Sequence, residues 1–186
     1  MRSLRFLGLM LVLCSYCVAG FAAEPIKSGL QPGEKITNIF EPLNVTGPFA
    51  GEPHCLVCEN GFNPVAMIFA REVNEPLVKL LAKIDKATEK NRDVEMGSFV
   101  VFLSEKEGLK EELEKIAKKQ GLKHVILSTF DPAGPEDFNV AKDSDVTVVF
   151  YREHQVKANH AFRKGELNEQ AVEKIVGDLP KIVGEK

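Results

Sequence analysis

The sequence predicts an α/β fold, with a central mixed sheet, flanking helices and a short β extension on its N-terminal side. Three observations carry this expectation. From Pro64 onward the apolar segments run strand, helix, strand, helix, strand, and then close as two strands and a helix. The strand-like runs are apolar at consecutive positions, which marks strands covered on both faces. The helix-like segments keep their apolar residues on one face at i, i+3, i+4 spacing.

Between Glu24 and Pro53 the chain is rich in Gly, Pro and Asn, with isolated apolar positions at Ile36, Ile39, Phe40, Leu43 and Val45. That pattern predicts an extended lead-in with one or two short strands and turns at Pro32-Gly33 and Gly47-Pro48. Pro64 to Ala70 (PVAMIFA) is too short for a buried helix and reads as the first core strand. Asn74 then caps a helix whose first turn holds Glu75 and Pro76 and whose apolar face is Leu77, Leu80, Leu81 and Ile84. Phe99 to Leu103 is the second strand. Ser104 and Glu107 have capping-box spacing ahead of a helix lined by Leu109, Leu113, Ile116 and Ala117, which Gly121 ends in a left-handed cap.

His124 to Thr129 is the third strand, and Asp131 to Asp143 is a surface loop with two Pro, a Gly and several acidic residues. Val146 to Tyr151 pairs with Val156 to Phe162 across a turn at Glu153, His154 and Gln155. A last helix starts at Asn168, shows Val172, Ile175, Val176 and Leu179 on one face, and stops by Pro180.

Residues 1–22 stand apart from this pattern. Arg2 and Arg5 precede an apolar run from Phe6 to Ala19, and the small residues Gly20 and Ala22 follow it. This is the layout of a secretory signal peptide cut after Ala22, with Ala23 as the alternative. A lipoprotein anchor at Cys14 is disfavoured by Leu13 in front of it. The expected mature protein is therefore exported, periplasmic or extracellular, free of the membrane after cleavage, and keeps only Cys55 and Cys58. Disulfides are allowed in such a compartment.

Composition narrows the function. The 186 residues are 44% hydrophobic and 27% charged, an ordinary globular balance, and the formal net charge is −3. That charge supplies no field for a phosphate backbone, and zero Trp with two Tyr leave few stacking platforms, so nucleic-acid binding is disfavoured. No phosphate-cradling, serine-hydrolase or zinc-protease motif occurs. Asn44-Val-Thr46 matches a glycosylation sequon and is read as chance. The charged face from Glu105 to Lys119 is read as a solvated helix surface.

The chemical signal is His54-Cys55-Leu56-Val57-Cys58-Glu59-Asn60-Gly61. A two-residue spacer lets the thiols form a reversible disulfide, and a protonated His54 favours the Cys55 thiolate, so Cys55 attacks, Cys58 resolves and His54 modulates. Glu59 works against a thiolate, and Gly61 with Pro64 leaves little room for a helix starting at Cys55. Two other readings stay open. One is a permanent local disulfide. The other is a metal site completed by two of His54, His124, His154 and His160, none of which has ligand spacing to another. Covalent haem attachment is excluded because Glu59, not His, follows the second cysteine.

The element order, with GLQPGEKITNIFEPLNVTG and NPVAMIFAREVNEPLVKLLAKI, resembles the thioredoxin-like superfamily in its secreted peroxiredoxin-like and thiol-disulfide variants. The resemblance covers roughly Gly33 to Val183 and implies a three-layer fold. Its redox-active members carry Cys-x-x-Cys just after the first core strand, at a helix N-terminus where thiolates are stabilised. Here that position reads Arg71-Glu72-Val73-Asn74-Glu75-Pro76, without cysteine. The usual cis-proline is replaced by Asp145-Val146-Thr147, and no peroxidatic cysteine is present. The expected organisation is a signal peptide over 1–22, an extension over 23–59 carrying the Cys-x-x-Cys, and a thioredoxin-like domain over 60–186. The expected activity is thiol-disulfide exchange through Cys55 and Cys58 with protein thiols and disulfides, without a cofactor. The competing expectation is a binding or structural module that keeps the scaffold and a structural disulfide.

Overall fold

The computed structural model describes residues 24–184, so the expected signal peptide lies outside the described residues. Its elements are β1 (Leu43–Asn44), α1 (Leu56–Asn60), β2 (Val65–Ala70), α2 (Glu75–Lys90), β3 (Gly97–Leu103), α3 (Leu109–Gln120), β4 (Val125–Phe130), β5 (Val146–Arg152), β6 (Gln155–Phe162), α4 (Glu169–Gly177) and α5 (Pro180–Val183). The six strands form one sheet in the order β1-β4-β3-β2-β5-β6. β2, β3 and β4 run parallel, while β1, β5 and β6 each pair antiparallel with their neighbours. This is the mixed sheet of the thioredoxin-like fold.

Period-two alternation sorts the sheet into two cores. Ala66, Ile68 and Ala70 of β2, Val100 and Phe102 of β3, and Val146, Val148 and Phe150 of β5 face helices α2 to α5. Leu77, Leu80, Leu81 and Ile84 of α2 are at most 1% exposed there. Each such burial contributes about 1.5–3 kcal/mol, and a Leu80→Ala cavity would cost roughly 2–5 kcal/mol. Asn74 caps α2 as expected, its Oδ1 accepting the Leu77 N–H at 2.9 Å.

The other face carries Val65, Met67 and Phe69, Phe99, Val101 and Leu103, and Val149 and Tyr151. Its cover is not a set of long helices. It is the lead-in itself, through Leu30, Ile36 and Phe40, together with Leu56 and Val57 of α1 and Phe138. Phe40 meets Phe138 edge-on at 4.8 Å between centroids and Phe130 at 5.4 Å. The third layer is thus built from an irregular segment, and backbone pairing holds it down: Ile36 N–H donates to the His154 carbonyl at 2.8 Å and Val156 N–H to Glu34 at 2.9 Å. Deeper in, the Ser28 and Thr147 hydroxyls meet at 2.7 Å, and Asn159 Nδ2 donates to the Ser28 and Leu30 carbonyls. Gly29 is required beside them, because φ is +76° and a Cβ would stand 2.7 Å from the Thr147 methyl.

Three local expectations change. Ser104 and Glu107 do not cap α3; the helix starts after Gly108 in a left-handed conformation, and the Ser104 hydroxyl accepts the Lys106 N–H instead. A short helix does form directly after Cys55. Helix α4 ends at Gly177, before Pro180 as expected, but it is not the last, since the chain adds one further helical turn, α5, from Pro180. Asn44 of the sequon is fully buried in β1, so no glycan can be attached there in the folded chain.

Candidate disulfide centre

Cys55 and Cys58 are joined in a disulfide, their Cα atoms 5.3 Å apart. α1 makes this possible with only five residues. Cys55 occupies its N-cap in an extended conformation, and its Sγ accepts the N–H of Cys58 at 3.1 Å. Gly61, at φ 50°, ends the helix by donating its N–H to the Val57 and Cys58 carbonyls. The two sulfurs differ in environment. Cys55 is 8% exposed and packs with Leu56 and Val57 into the core beneath the lead-in, whereas Cys58 is exposed.

α1 is anchored at both ends. At its far end, Asn60 donates to the Leu56 carbonyl at 2.7 Å and lies against Gly97, where any Cβ would collide with its amide. In front of it, His54 N–H donates to the Pro42 carbonyl at 3.1 Å, and Pro53 bridges Leu43 of β1.

The His54 ring stacks on Phe49, with centroids 3.7 Å apart and planes inclined by 12°. Its Nε2 lies 3.1 Å from Glu59 Oε2, a close contact too poorly aligned to count as a hydrogen bond. The residue before the first cysteine therefore faces the residue after the second. The contact sets a basic and an acidic side chain against each other beside the disulfide.

The other histidines are dispersed. His124 stands at the start of β4, where its N–H joins those of Lys123 and Val125 in donating to one Asp85 oxygen at 2.7–2.9 Å. His154 packs on Phe62, with centroids 5.1 Å apart. His160 Nε2 lies 3.0 Å from Asp178 Oδ2. Among the described residues no three His, Cys, Asp or Glu side chains come together as a metal site.

The stretch after β2 lies at the N-terminus of α2, which covers the sheet face opposite to Cys55. Its polar groups are already engaged. Arg71 N–H donates to the Asp145 carbonyl at 2.9 Å, and Asp145 N–H donates to Phe162 at 2.8 Å. The Arg71 guanidinium donates to three more carbonyls, those of Ser144, Pro132 and Ala141, at 2.8–3.2 Å. It thereby ties the loop between β4 and β5 to the end of β2. Asp145 is buried beside it, and Asn74 Nδ2 donates to its Oδ2 at 3.3 Å. Burial pushes the Asp145 carboxyl above its ordinary value; Glu72 adds to this, while Lys164 and Arg71 oppose it. No cis peptide bond occurs among the described residues.

Sequence reasoning placed Cys55, Cys58 and His54 in one segment, and the structure brings them together. It missed Phe49 and the His54–Glu59 contact. The turn at Gly47-Pro48, which folds Phe49 back toward His54, was the available signal.

No family model matches the sequence, and no curated protein matches it. Solved structures do. A solution structure described as a protein disulfide isomerase from Bacteroides thetaiotaomicron is similar at 17% identity and a TM-score of 0.63, over 86% of this chain and 96% of that one. The peroxidoxin BcpB from Mycobacterium tuberculosis is similar at 14% identity and a TM-score of 0.58, over 82% and 98%. The thioredoxin domain of a thiol-disulfide oxidoreductase from Bacteroides vulgatus is similar at 15% identity and a TM-score of 0.53, over 79% and 99%.

Proposed function

From a chain with the thioredoxin-like fold and a disulfide outside the position after β2, we propose an exported protein that exchanges thiols and disulfides with partner proteins through Cys55 and Cys58. The observation that carries this reading is the asymmetry of the pair, with Cys58 at the surface and Cys55 beneath it. On this reading Cys58 is the sulfur attacked and Cys55 the one that leaves, an exchange of the roles expected from sequence. A partner thiolate reaches the Cys58 sulfur; a new S–S bond forms there, the Cys55–Cys58 bond breaks, and its electron pair leaves on Cys55 Sγ. The Cys58 N–H that already points at Cys55 Sγ stabilises that leaving thiolate. A second partner thiolate then displaces Cys58, and the partner leaves oxidised while the pair leaves reduced. Run backwards, the reduced pair reduces a partner disulfide. His54, held by Phe49 and facing Glu59, modulates the charge around the pair.

Export rests on the layout of residues 1–22. Among the described residues no helix is long and apolar enough to cross a membrane.

The test is the reduction potential of the pair together with two serine variants. A working exchanger has a potential of about −120 to −270 mV, whereas a permanent bridge lies below about −300 mV. Cys55→Ser keeps a side chain able to cap α1 and leaves Cys58 free, so it traps partners as mixed disulfides. Cys58→Ser traps none. Equal trapping by both variants, or by neither, would count against these roles. One specific observation favours the structural reading as an alternative: Cys55 is part of the core that seats the lead-in on the sheet.

A further inference from the structure

The chain's surface apolar residues are unevenly placed. The large hydrophobic side chains exposed among the described residues are Ile39, at 63%, Leu43, at 38%, Phe49, at 37%, and Phe62, at 71%. All four fall within the 24-residue stretch that contains the disulfide. Leu43 reaches it through the Pro53 bridge, Phe49 through the His54 stack, and Phe62 stands just past Gly61, which ends α1. Scattered single exposures need no explanation, but a concentration around one reactive pair does.

The same stretch is depleted of cations. No Lys or Arg occurs between Lys35 and Arg71, although the chain has 24 of them, and Glu41, Glu52 and Glu59 are exposed there. Arg92 and Lys123 line a small cleft of about 270 Å³ with Glu59 and Asn60, and they partly offset Glu59. Glu41 and Glu52 flank the Leu43–Pro53 side without a cation from their own segment. An apolar surface bordered by carboxylates attracts apolar, positively charged chain and repels acidic chain.

We infer that the disulfide face docks apolar, cationic segments of cysteine-containing polypeptides, with Leu43 and Phe49 taking their apolar side chains and Glu41 and Glu52 their positive charge. This inference rests on the exchange reading above and names the substrate class for it. A docked segment brings its own sulfur to Cys58. The exchange then proceeds as already balanced, with the pair, reduced beforehand by a dithiol, oxidised and the segment's disulfide reduced to two thiols.

The experiment measures the rate at which the reduced protein reduces disulfide-linked peptides of one length whose flanks are Lys/Leu, Lys/Ser or Glu/Leu, with neutral hydroxyethyl disulfide as a reference. The Lys/Leu peptide is expected to react about tenfold faster than the Glu/Leu peptide at about 0.02 M salt, and the difference should shrink at about 0.5 M. It should also outrun the Lys/Ser peptide at both salt concentrations. Glu52→Gln and Glu41→Gln each lower the Lys/Leu rate severalfold, whereas Glu111→Gln, which removes the same charge from the outer face of α3, does not. Equal rates for all three peptides, with hydroxyethyl disulfide still reduced, would overturn the docking inference and leave exchange standing. No reduction of hydroxyethyl disulfide would overturn exchange itself, and docking with it.

Discussion

Arg71 and Asp145 join the end of β2 to the start of β5 through a single backbone hydrogen bond of 2.9 Å, in the stretch where the resemblance to redox-active thioredoxin-like proteins implies a cysteine pair and a cis-proline. The bond uses the backbone there, and the Asp145 side chain is left buried with a carboxyl pushed up by desolvation. A carboxyl raised in the fold keeps its proton longer than in the unfolded chain. Its contribution to stability is therefore greatest in acid and is lost as pH rises through 3.8 toward the raised value. Asp145→Asn removes the buried charge and keeps an oxygen for Asn74 Nδ2. Its Tm should exceed that of the wild type by a few degrees at pH 7, and the gain should vanish below the carboxylate range. A variant that melts lower at pH 7 would show that Lys164 and Arg71 outweigh the burial.

The His160–Asp178 pair has the opposite sign. His160, with its side chain 9% exposed, is lowered by burial; Asp178 opposes that shift, and Lys174 and Lys181 add to it. Burial alone would raise Asp178, but Lys181 and then His160 bring it below its ordinary value. Both groups shed protons more readily in the fold than in the unfolded chain. Stability from His160 is thus present above 6.5 and declines as pH falls through that value, and stability from Asp178 declines further below 3.8. His160→Gln can still donate to Asp178 but cannot titrate. The fall in Tm between pH 7.5 and 5.5 should be smaller in this variant than in the wild type, as read by calorimetry at matched ionic strength.

The legible parts of the fold are those whose signals are local and repeated. Leu77, Leu80, Leu81 and Ile84 announce α2, and PVAMIFA announces β2, because periodicity alone decides what such segments can bury. α1 was not legible, because five residues fall below any periodic window and the helix is defined by its caps, Cys55 and Gly61. The start of α3 misled for a related reason: a Ser and a Glu three apart fit a capping box wherever they fall, and Gly108 supplied the left-handed entry instead. The asymmetry of the cysteine pair was beyond reach, since Cys55 is buried in a core that also takes in Leu30, Ile36 and Phe40 from far upstream.

The Arg71 clamp is long-range in the same way, its three side-chain acceptors being carbonyls 61 to 73 residues away. Carbonyls leave no mark in a sequence, so the stretch without cysteine gives no sign there of the clamp that Arg71 forms. Hydrogen bonds to charged groups contribute about 1.5–3 kcal/mol each. Arg71→Ala, which strands three carbonyls at the base of the 131–143 loop, should lower Tm by at least several degrees and expose amides of that loop to hydrogen exchange. Exchange activity measured well below the new Tm should stay within a few-fold of the wild type. A large loss of activity with the loop still protected would place chemistry at Arg71 after all.

Reduction of Cys55–Cys58 gives the remaining prediction, and it bears on whether the pair can cycle. The two residues are three apart in sequence, so the bridge restrains very little of the unfolded chain. The loop-entropy model gives about 3 kcal/mol for a ~15-residue loop and less for this one. The contacts that seat α1 do not depend on the sulfur bond: Leu56 and Val57 are 1% and 2% exposed, Asn60 lies against Gly97, and His54 N–H holds the Pro42 carbonyl. Cys55 keeps its place in the core as a thiol and can still accept the Cys58 N–H. Melting with and without a phosphine reductant should therefore give Tm values only a few degrees apart. A protein that meets and releases successive partners must remain folded in both states, and a small difference is what such cycling requires. A drop of more than about 10 °C on reduction would mean that the bridge holds the lead-in on the sheet, and the structural reading would displace exchange.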